Sequence, residues 1–341
     1  MSKPTMQDIA AALSVSRISV WKALNNKPGV SDALRVKIYN LAKDIGYVRH
    51  PPTDMGGANG IATRPTTSVK NIAVVVSKPE SSHFWMQIIH EIAKELSFYG
   101  ANLMYTYMPT RYEDGDCLPA SLADASLSGI IVLNIYSEPQ LKMLAGLSLP
   151  KVFLDTVPSM PFHEFNGDVV FIEGRLAVKQ ITGHLLDSGQ RRLGFVGDVN
   201  YAQTNMDRFH GFLEAHTNRG MTVDETFNLT IPLHAATHYN QISAFLHGLS
   251  RMPDGFVCAS DYIAHFIQEY FNKNGISNDQ VCLTGFDNNT EYANVANKIT
   301  TVNVQTRSLG KRLANKIMFA VNYPDSTHEI CYETTKVLFR P

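Results

Sequence analysis

The sequence predicts a small all-α head followed by a larger two-lobed α/β body with doubly wound parallel sheets, and three observations predict it. Charge is split along the chain: residues 1–50 hold eight Lys and Arg against three acids, a net +5, whereas the remainder holds 22 against 28, a net −6. Apolar residues near the N-terminus recur at helical spacing. From Asn71 onward, short apolar runs alternate with helical patterns, as expected for parallel strands buried on both faces.

With 341 residues, 44% of them hydrophobic and 18% charged, the composition excludes a disordered, collagenous or disulfide-stapled chain. The length suits two or three packed domains. A basic head attracts polyanions whatever the net charge of the whole molecule. Cys117, Cys258, Cys282 and Cys331 form no C-x-x-C pair, which argues against a zinc ribbon or a thioredoxin-type motif and for reduced thiols. The N-terminus carries no apolar leader pattern, and no apolar run approaches the ~20 residues that span a bilayer, so a cytoplasmic protein is expected.

In the head, Thr5 followed by Asp8 is a helix-starting pair, and Met6, Ile9, Ala10 and Leu13 form one apolar face of a helix ending near Leu13. Ser14-Val15-Ser16 is a tight connection, with Val15 as a core plug and Ser16 as the cap of a second helix beginning at Arg17. A third helix is signalled by the Ser31 cap, by the stripe Leu34, Ile38, Leu41 and Ile45, and by Gly46 as terminator. This is helix-turn-helix spacing.

On the second helix, Val20, Ala23 and Leu24 face inward, whereas Arg17, Ile18, Trp21 and Lys22 face outward. That outward set suits a DNA major groove. Arg17 can fork onto guanine O6 and N7, Ile18 can touch a thymine methyl, and Lys22 suits either a base or a phosphate. Trp21 either wedges against the sugar-phosphate backbone or packs back onto Tyr47.

Thr5-Met6-Gln7-Asp8-Ile9-Ala10, Val15-Ser16, Val20, Leu24-Asn25, Val30-Ser31 and Ile45-Gly46-Tyr47 closely resemble the head of the lactose/galactose repressor (LacI/GalR) family of bacterial transcription regulators. The resemblance adds Thr5, Ser16, Asn25 and Ser31 to the candidate DNA contacts. Three features depart from the family pattern. Ser14 stands where the turn is often Gly, Trp21 replaces a usually small polar residue, and Arg17, Ile18 and Lys22 form a combination of their own. The next segment, His50-Pro51-Pro52-Thr53-Asp54-Met55-Gly56-Gly57-Ala58-Asn59-Gly60, opposes the hinge helix that relatives generally carry. A flexible spacer over 50–69 is expected, with Met55 as the candidate groove wedge.

In the body, strands are predicted at Ile72–Val76, Ala101–Tyr105, Gly129–Leu133 and Val152–Leu154, with a helix over 84–99. A second series holds Val169–Phe171, Leu193–Val196, Gly255–Cys258 and Val281–Thr284. Such a pair of lobes describes a periplasmic-binding-protein-like fold, whose ligands bind beyond the carboxyl ends of the strands. The expected boundaries are a head over 1–49, a linker over 50–69 and a body over 70–341. Within the body, the first lobe spans about 70–164 plus 303–332, and the second about 165–302 plus 333–341.

The family resemblance continues through Arg175-Leu176-Ala177-Val178, Arg208-Phe209-His210-Gly211-Phe212 and Gly285-Phe286-Asp287. It implies that Arg208 and Asp287 hold an effector. An Arg that donates, an Asp that accepts and an aromatic against the ring's apolar face together suit a sugar. By position, Phe84, Trp85, Asp155 and Phe171 complete the pocket, and Ser260-Asp261 stands where relatives usually show Asn-Asp. His234 and His238 lie four residues apart without the Glu of a zinc-protease motif, and a solvated helix start is expected there. No dinucleotide loop, phosphate loop or nucleophile elbow is found, and no cofactor or metal is expected.

The expectation is therefore a homodimeric, DNA-binding regulator, a repressor by family habit, that reads a pseudo-palindromic operator and answers a small effector, a sugar or sugar phosphate. A purine- or nucleoside-corepressed regulator, a sugar-binding protein without DNA activity and an enzyme are the alternatives.

Overall fold

The computed structural model describes residues 5–24, 29–45, 69–77, 82–110, 112–113, 115–233 and 237–340. The linker up to residue 68, with Met55, and the Gly46 terminator, Asn25, Tyr47 and His234 lie outside the described residues. The chain divides into two compact units, Met1–Thr67 and Ser68–Pro341.

The first unit contains α1 (Met6–Ala12), α2 (Arg17–Leu24) and α3 (Asp32–Asp44). Ile9, Ala10, Val20, Ala23, Ile38 and Ala42 form its buried core, with Val15 packed against it from the turn. Each helix begins with a side chain at work on the backbone. Thr5 donates both its N–H and its hydroxyl to Asp8 Oδ2 (2.6 and 2.7 Å), which holds the Asp8 carboxyl below its usual range. Ser16 Oγ accepts the Ser19 N–H at 3.0 Å, and Ser31 Oγ accepts that of Leu34 at 3.4 Å. The far end of α2 is satisfied from α3: Arg35 and Tyr39 both donate to the Ala23 carbonyl, at 3.1 and 2.9 Å. The connection needs one left-handed residue, and Ser14 supplies it at φ 50°.

The second unit holds two parallel sheets. The first comprises β1 (Asn71–Val76), β2 (Asn102–Tyr107), β3 (Leu127–Leu133), β4 (Lys151–Leu154), β5 (Asp168–Ile172) and β10 (Ile330–Glu333), in the order β10-β5-β4-β3-β1-β2. The second comprises β6 (Leu193–Val196), β7 (Gly255–Cys258) and β8 (Cys282–Thr284), and single parallel bridges to Leu229 and Thr300 widen it. A short antiparallel pair, β9 (Thr301–Asn303) with β11 (Lys336–Leu338), lies among the connections between the lobes.

Helices cover these sheets. In the first lobe α4 (His83–Phe98) and α10 (Thr306–Asn322) pack together, and α5 (Glu138–Ala145) covers the other face. The second lobe carries α6 (Arg175–Asp187), α7 (Gln203–Thr217), α8 (His238–Gly248) and α9 (Asp261–Asn274). Helices α6 and α7 approach so closely that a Cβ at Gly211 would lie 2.1 Å from the Arg175 carbonyl oxygen. This contact sets the height of Arg208, one turn earlier on α7.

One expectation is corrected here. The run Val169–Phe171 was assigned to the second lobe, but β5 pairs with β4 and β10 in the first sheet. A buried apolar run announces a strand without naming its hydrogen-bonding partner. The chain crosses to the second lobe only after Ile172.

Candidate functional site

The parallel strands of both lobes end at one cleft of about 420 Å³ within the second unit. Ser77 follows β1, Asn134 follows β3, Asp155 follows β4, Ser260 follows β7 and Asp287 follows β8, and all five line the cleft. Three of them stand in positive-φ backbone: Asn134 at 54°, Asp155 at 67° and Asp287 at 101°. Asn and Asp tolerate that region best among side-chain-bearing residues, and strained backbone concentrates where function requires a fixed side chain.

Arg208 is the cation at the centre of this arrangement. It is buried on α7, its Nη1 donates to the Ala259 carbonyl at 2.6 Å, and its guanidinium carbon lies 3.7 Å from the Phe286 ring centroid. Its Nε has no hydrogen-bond partner among the described residues. Gly174 makes room for it, since a Cβ there would come within 2.8 Å of Arg208 Cγ. The group is thus held from behind at the cleft wall, where a cationic donor suits a ligand acceptor.

Asp155 lines the cleft but is already engaged. Its Oδ1 accepts the Thr156 and Thr204 N–H groups at 2.8 and 3.2 Å, and its Oδ2 accepts the Thr204 hydroxyl. Tyr136 adds a hydroxyl at 3.4 Å. Since Thr204 opens α7, this first-lobe carboxylate caps a second-lobe helix, and the Gln203 N–H to Thr156 carbonyl bond of 2.7 Å reinforces the link. Burial raises the Asp155 carboxyl above its usual range, against the pull of Thr204 and Arg208. Asp287 is raised by burial too, with Arg208 opposing the shift.

Phe84 and Trp85, in the first turn of α4, meet edge to face at 5.2 Å, and both line the cleft. Ser260 lines it as well while capping α9 through the Ile263 N–H at 3.3 Å.

Two predicted pocket residues lie elsewhere. Phe171 is fully buried in the first lobe, 5.1 Å from Tyr332 and 5.6 Å from Phe162, and the next residue, Ile172, lines the cleft instead. Strand side chains alternate faces, so a one-residue step separates core from pocket. Asp261 is also absent from the cleft lining. Its Oδ1 accepts the Thr301 hydroxyl and its Oδ2 the Asn289 N–H, both at 2.7 Å, so it ties the loop after β8 to β9. Burial, with Asp287 nearby, pushes its carboxyl up to about 7.

Sequence reasoning missed much of the aromatic wall. Tyr136 and Tyr201 lie with ring centroids 4.5 Å apart. On another wall His238 Nδ1 is 3.2 Å from the Tyr262 hydroxyl, and Tyr262 lies 5.6 Å from Tyr292. His238 does begin α8, as expected of a helix start, but it is half-buried against Tyr262 and Phe266 rather than solvated. Position just after β3 and β6 was the available signal for Tyr136 and Tyr201. Nothing local marked Tyr262 or Tyr292. Among the described residues no group of His, Cys, Asp and Glu could hold a metal ion.

In the head, Ile18 is 66% and Trp21 43% exposed, and Arg17 is exposed beside them. Lys22 differs from the other three. It is half-buried, with its Nζ beside the Gly29 turn. Thr5, Ser16 and Ser31 are exposed and serve as the caps described above.

A helix-turn-helix head with an exposed second helix, on the same chain as a two-lobed body with a polar and aromatic cleft, defines a ligand-binding transcription regulator as a class. Residues 182–340 match the family model described as a periplasmic binding protein-like domain. The chain is 24% identical to the HTH-type transcriptional regulator CelR of Thermobifida fusca over 93% of its length and 91% of that protein's. It is 24% identical to the HTH-type transcriptional repressor PurR of Photobacterium profundum over 95% and 93%. Among solved structures, a complex of the transcriptional regulator CelR with cellobiose aligns with TM-score 0.70 at 22% identity, covering 99% of each chain. A Lac repressor dimer bound to operator and the anti-inducer ONPF aligns with TM-score 0.66 at 17% identity, covering 99% of this chain and 98% of that one. Its homologues and structural neighbours are LacI-family transcriptional regulators. No helix among the described residues is long and apolar enough to cross a membrane.

Proposed function

We propose that this regulator acts as a cytoplasmic homodimer that reads a pseudo-palindromic duplex with α2, binds a sugar in the cleft of its second unit, and catalyses no reaction. The exposed Arg17 and Ile18 supply a forked donor and a methyl contact for base edges, and Trp21 flanks them. A two-fold dimer would place two such helices on two half-sites. The head spans 1–49 and the linker 50–69 in this reading, with β5 moved into the first lobe.

The observation that carries the ligand half is Arg208, a buried guanidinium lining a cleft that also holds Asp287 and several aromatic rings. A sugar hydroxyl accepts from Arg208 and donates to Asp287, while a ring face rests on an aromatic wall. The Asp155 clasp between the lobes supplies the response. A ligand that strengthens or strains the bonds from Asp155 to α7 changes the angle between the lobes, and effector and operator then alter each other's affinity by the same factor. The aromatic cleft, together with the likeness to PurR, favours a purine as the second reading.

Selection from random duplexes, with and without candidate sugars, tests the proposal. Arg208→Ala is expected to leave ligand-free duplex binding within about twofold while abolishing the effector response, because a buried charge-assisted bond is worth roughly 2–4 kcal/mol. A protein with no preference for any duplex over scrambled competitor overturns the DNA half. Retention of the full effector response by the Arg208 variant overturns the ligand site.

A further inference from the structure

The first N–H groups of a helix have no partner inside it and need an acceptor from elsewhere. For α2, α3 and α9 the acceptor is the residue just before the helix: Ser16, Ser31 and Ser260. Helices α4 and α7 differ. Ser82 precedes α4 and Ala202 precedes α7, and neither side chain caps its helix. Each start is served from the opposite lobe instead. Asp155 of the first lobe accepts the Thr204 N–H of α7, and Glu291 of the second lobe accepts the His83 N–H of α4 through Oε1 at 2.7 Å. The helix dipole favours a carboxylate at both places.

The loop after β8 aims Glu291 at this contact. Asn289 Nδ2 donates to Glu291 Oε2 and the Glu291 N–H donates to Asn289 Oδ1, both at 2.9 Å, which leaves Oε1 to His83. The Asn289 N–H donates in turn to Asp261 Oδ2 at 2.7 Å. Asp261, absent from the cleft lining, thus anchors the arm that reaches α4. The next two residues of α4, Phe84 and Trp85, line the cleft, so the same bond fixes part of its rim.

We propose, on the ligand-cleft reading above, that Glu291 is a positioning residue that holds the lobes together, paired with Asp155 so that the lobes cap each other's helices and lose both caps in one opening step. A cap drawn from its own lobe survives any change in the angle between lobes. A cap drawn from the opposite lobe does not, and two such caps make opening cooperative. Glu291 is exposed, so water competes for its bond and the latch releases readily.

Hydrogen exchange followed by mass spectrometry on the full chain, without ligand, is the test. The His83, Gln203 and Thr204 amides are bonded across the lobes to Glu291, Thr156 and Asp155, so their exchange follows the fraction of time the lobes spend apart. Glu291→Ala is expected to speed exchange about two- to fivefold in the first turn of α7 as well as that of α4, as for loss of one hydrogen bond that water can replace. Glu291→Gln, which keeps an acceptor without the charge, is expected to lie between that variant and the parent. Thr204→Val removes a hydroxyl from Asp155 and is expected to act in reverse, speeding exchange at the start of α4. Faster exchange confined to the substituted side means that each cap is merely local and overturns the proposal. Unchanged exchange on both sides in Glu291→Ala overturns it too. Failure of every candidate sugar to bind would remove the sugar reading separately, because no ligand enters this comparison.

Discussion

The second helix of the head and the cleft of the body reach their chemistry by opposite routes. Helix α2 displays Arg17, Ile18 and Trp21 within five consecutive residues on a surface kept exposed, with its scaffold supplied by its own caps and by α3. The cleft gathers Asn134, Asp155, Arg208, Asp287 and the tyrosines from strand ends and helices separated by more than a hundred residues, and buries Asp155 and Arg208. A local device can change what it recognises by single substitutions. A cleft assembled over such distances is constrained by its fold, because Asp155 and Arg208 are also bonded to the structure that carries them.

The largest expected effect separates core from cleft. Phe171→Ala should cost about 3–5 kcal/mol of stability, the usual penalty for emptying a fully buried aromatic site, while ligand affinity of the remaining folded protein stays within a few-fold. Denaturant unfolding and calorimetry measure the two quantities, and a selective loss of affinity would return Phe171 to the pocket. Next, Arg17→Ala should relax base preference at one operator position by roughly 1–3 kcal/mol. Unchanged selectivity in a duplex-selection assay would remove α2 from base reading and break the comparison.

A third prediction concerns acidity. Burial raises the carboxyls of Asp155, Asp261 and Asp287 above their ordinary range, Asp261 to about 7 from 3.8. A carboxyl that binds its proton more tightly when folded stabilises the fold fully below its unfolded pKa. That contribution is lost as pH rises through the folded value. The melting temperature of the body should therefore fall between about pH 5 and about pH 8, and Asp261→Asn should flatten part of that slope. Equal slopes in the two proteins would show that Asp261 ionises freely despite its burial.

The smallest effect lies in the head. Ser14→Gly should stabilise the three-helix unit by up to about 1 kcal/mol, because it removes a left-handed strain that the freedom of glycine in the unfolded chain partly offsets. A lower melting temperature would mean that Ser14 makes a contact worth more than its strain.

Much of the molecule was legible beforehand because its signals are local. The capping pair Thr5 and Asp8, the stripe on α3 and the outward set on α2 repeat within one or two helical turns, and each element begins where its cap residue stands. Strand-end position and family pattern singled out Asp155, Arg208 and Asp287, which line the cleft. Phe171 was misplaced because a run buried on both faces shows no alternation to reveal which side chain faces a ligand. Asp261 was misplaced because its partners, Asn289 and Thr301, are 28 and 40 residues away.

By itself the sequence determined the three-helix head, the exposed face of its second helix and the alternation of strands and helices in the body. Periodicity and capping act over a few residues, so they can be read along a single chain. Only the tertiary structure decided that β5 joins the first sheet, that Ile172 rather than Phe171 meets the cleft, that Asp155 clasps α7 and that Tyr262 and Tyr292 line the cleft. Those choices depend on hydrogen bonds and packing between distant segments, whose partners no local pattern encodes.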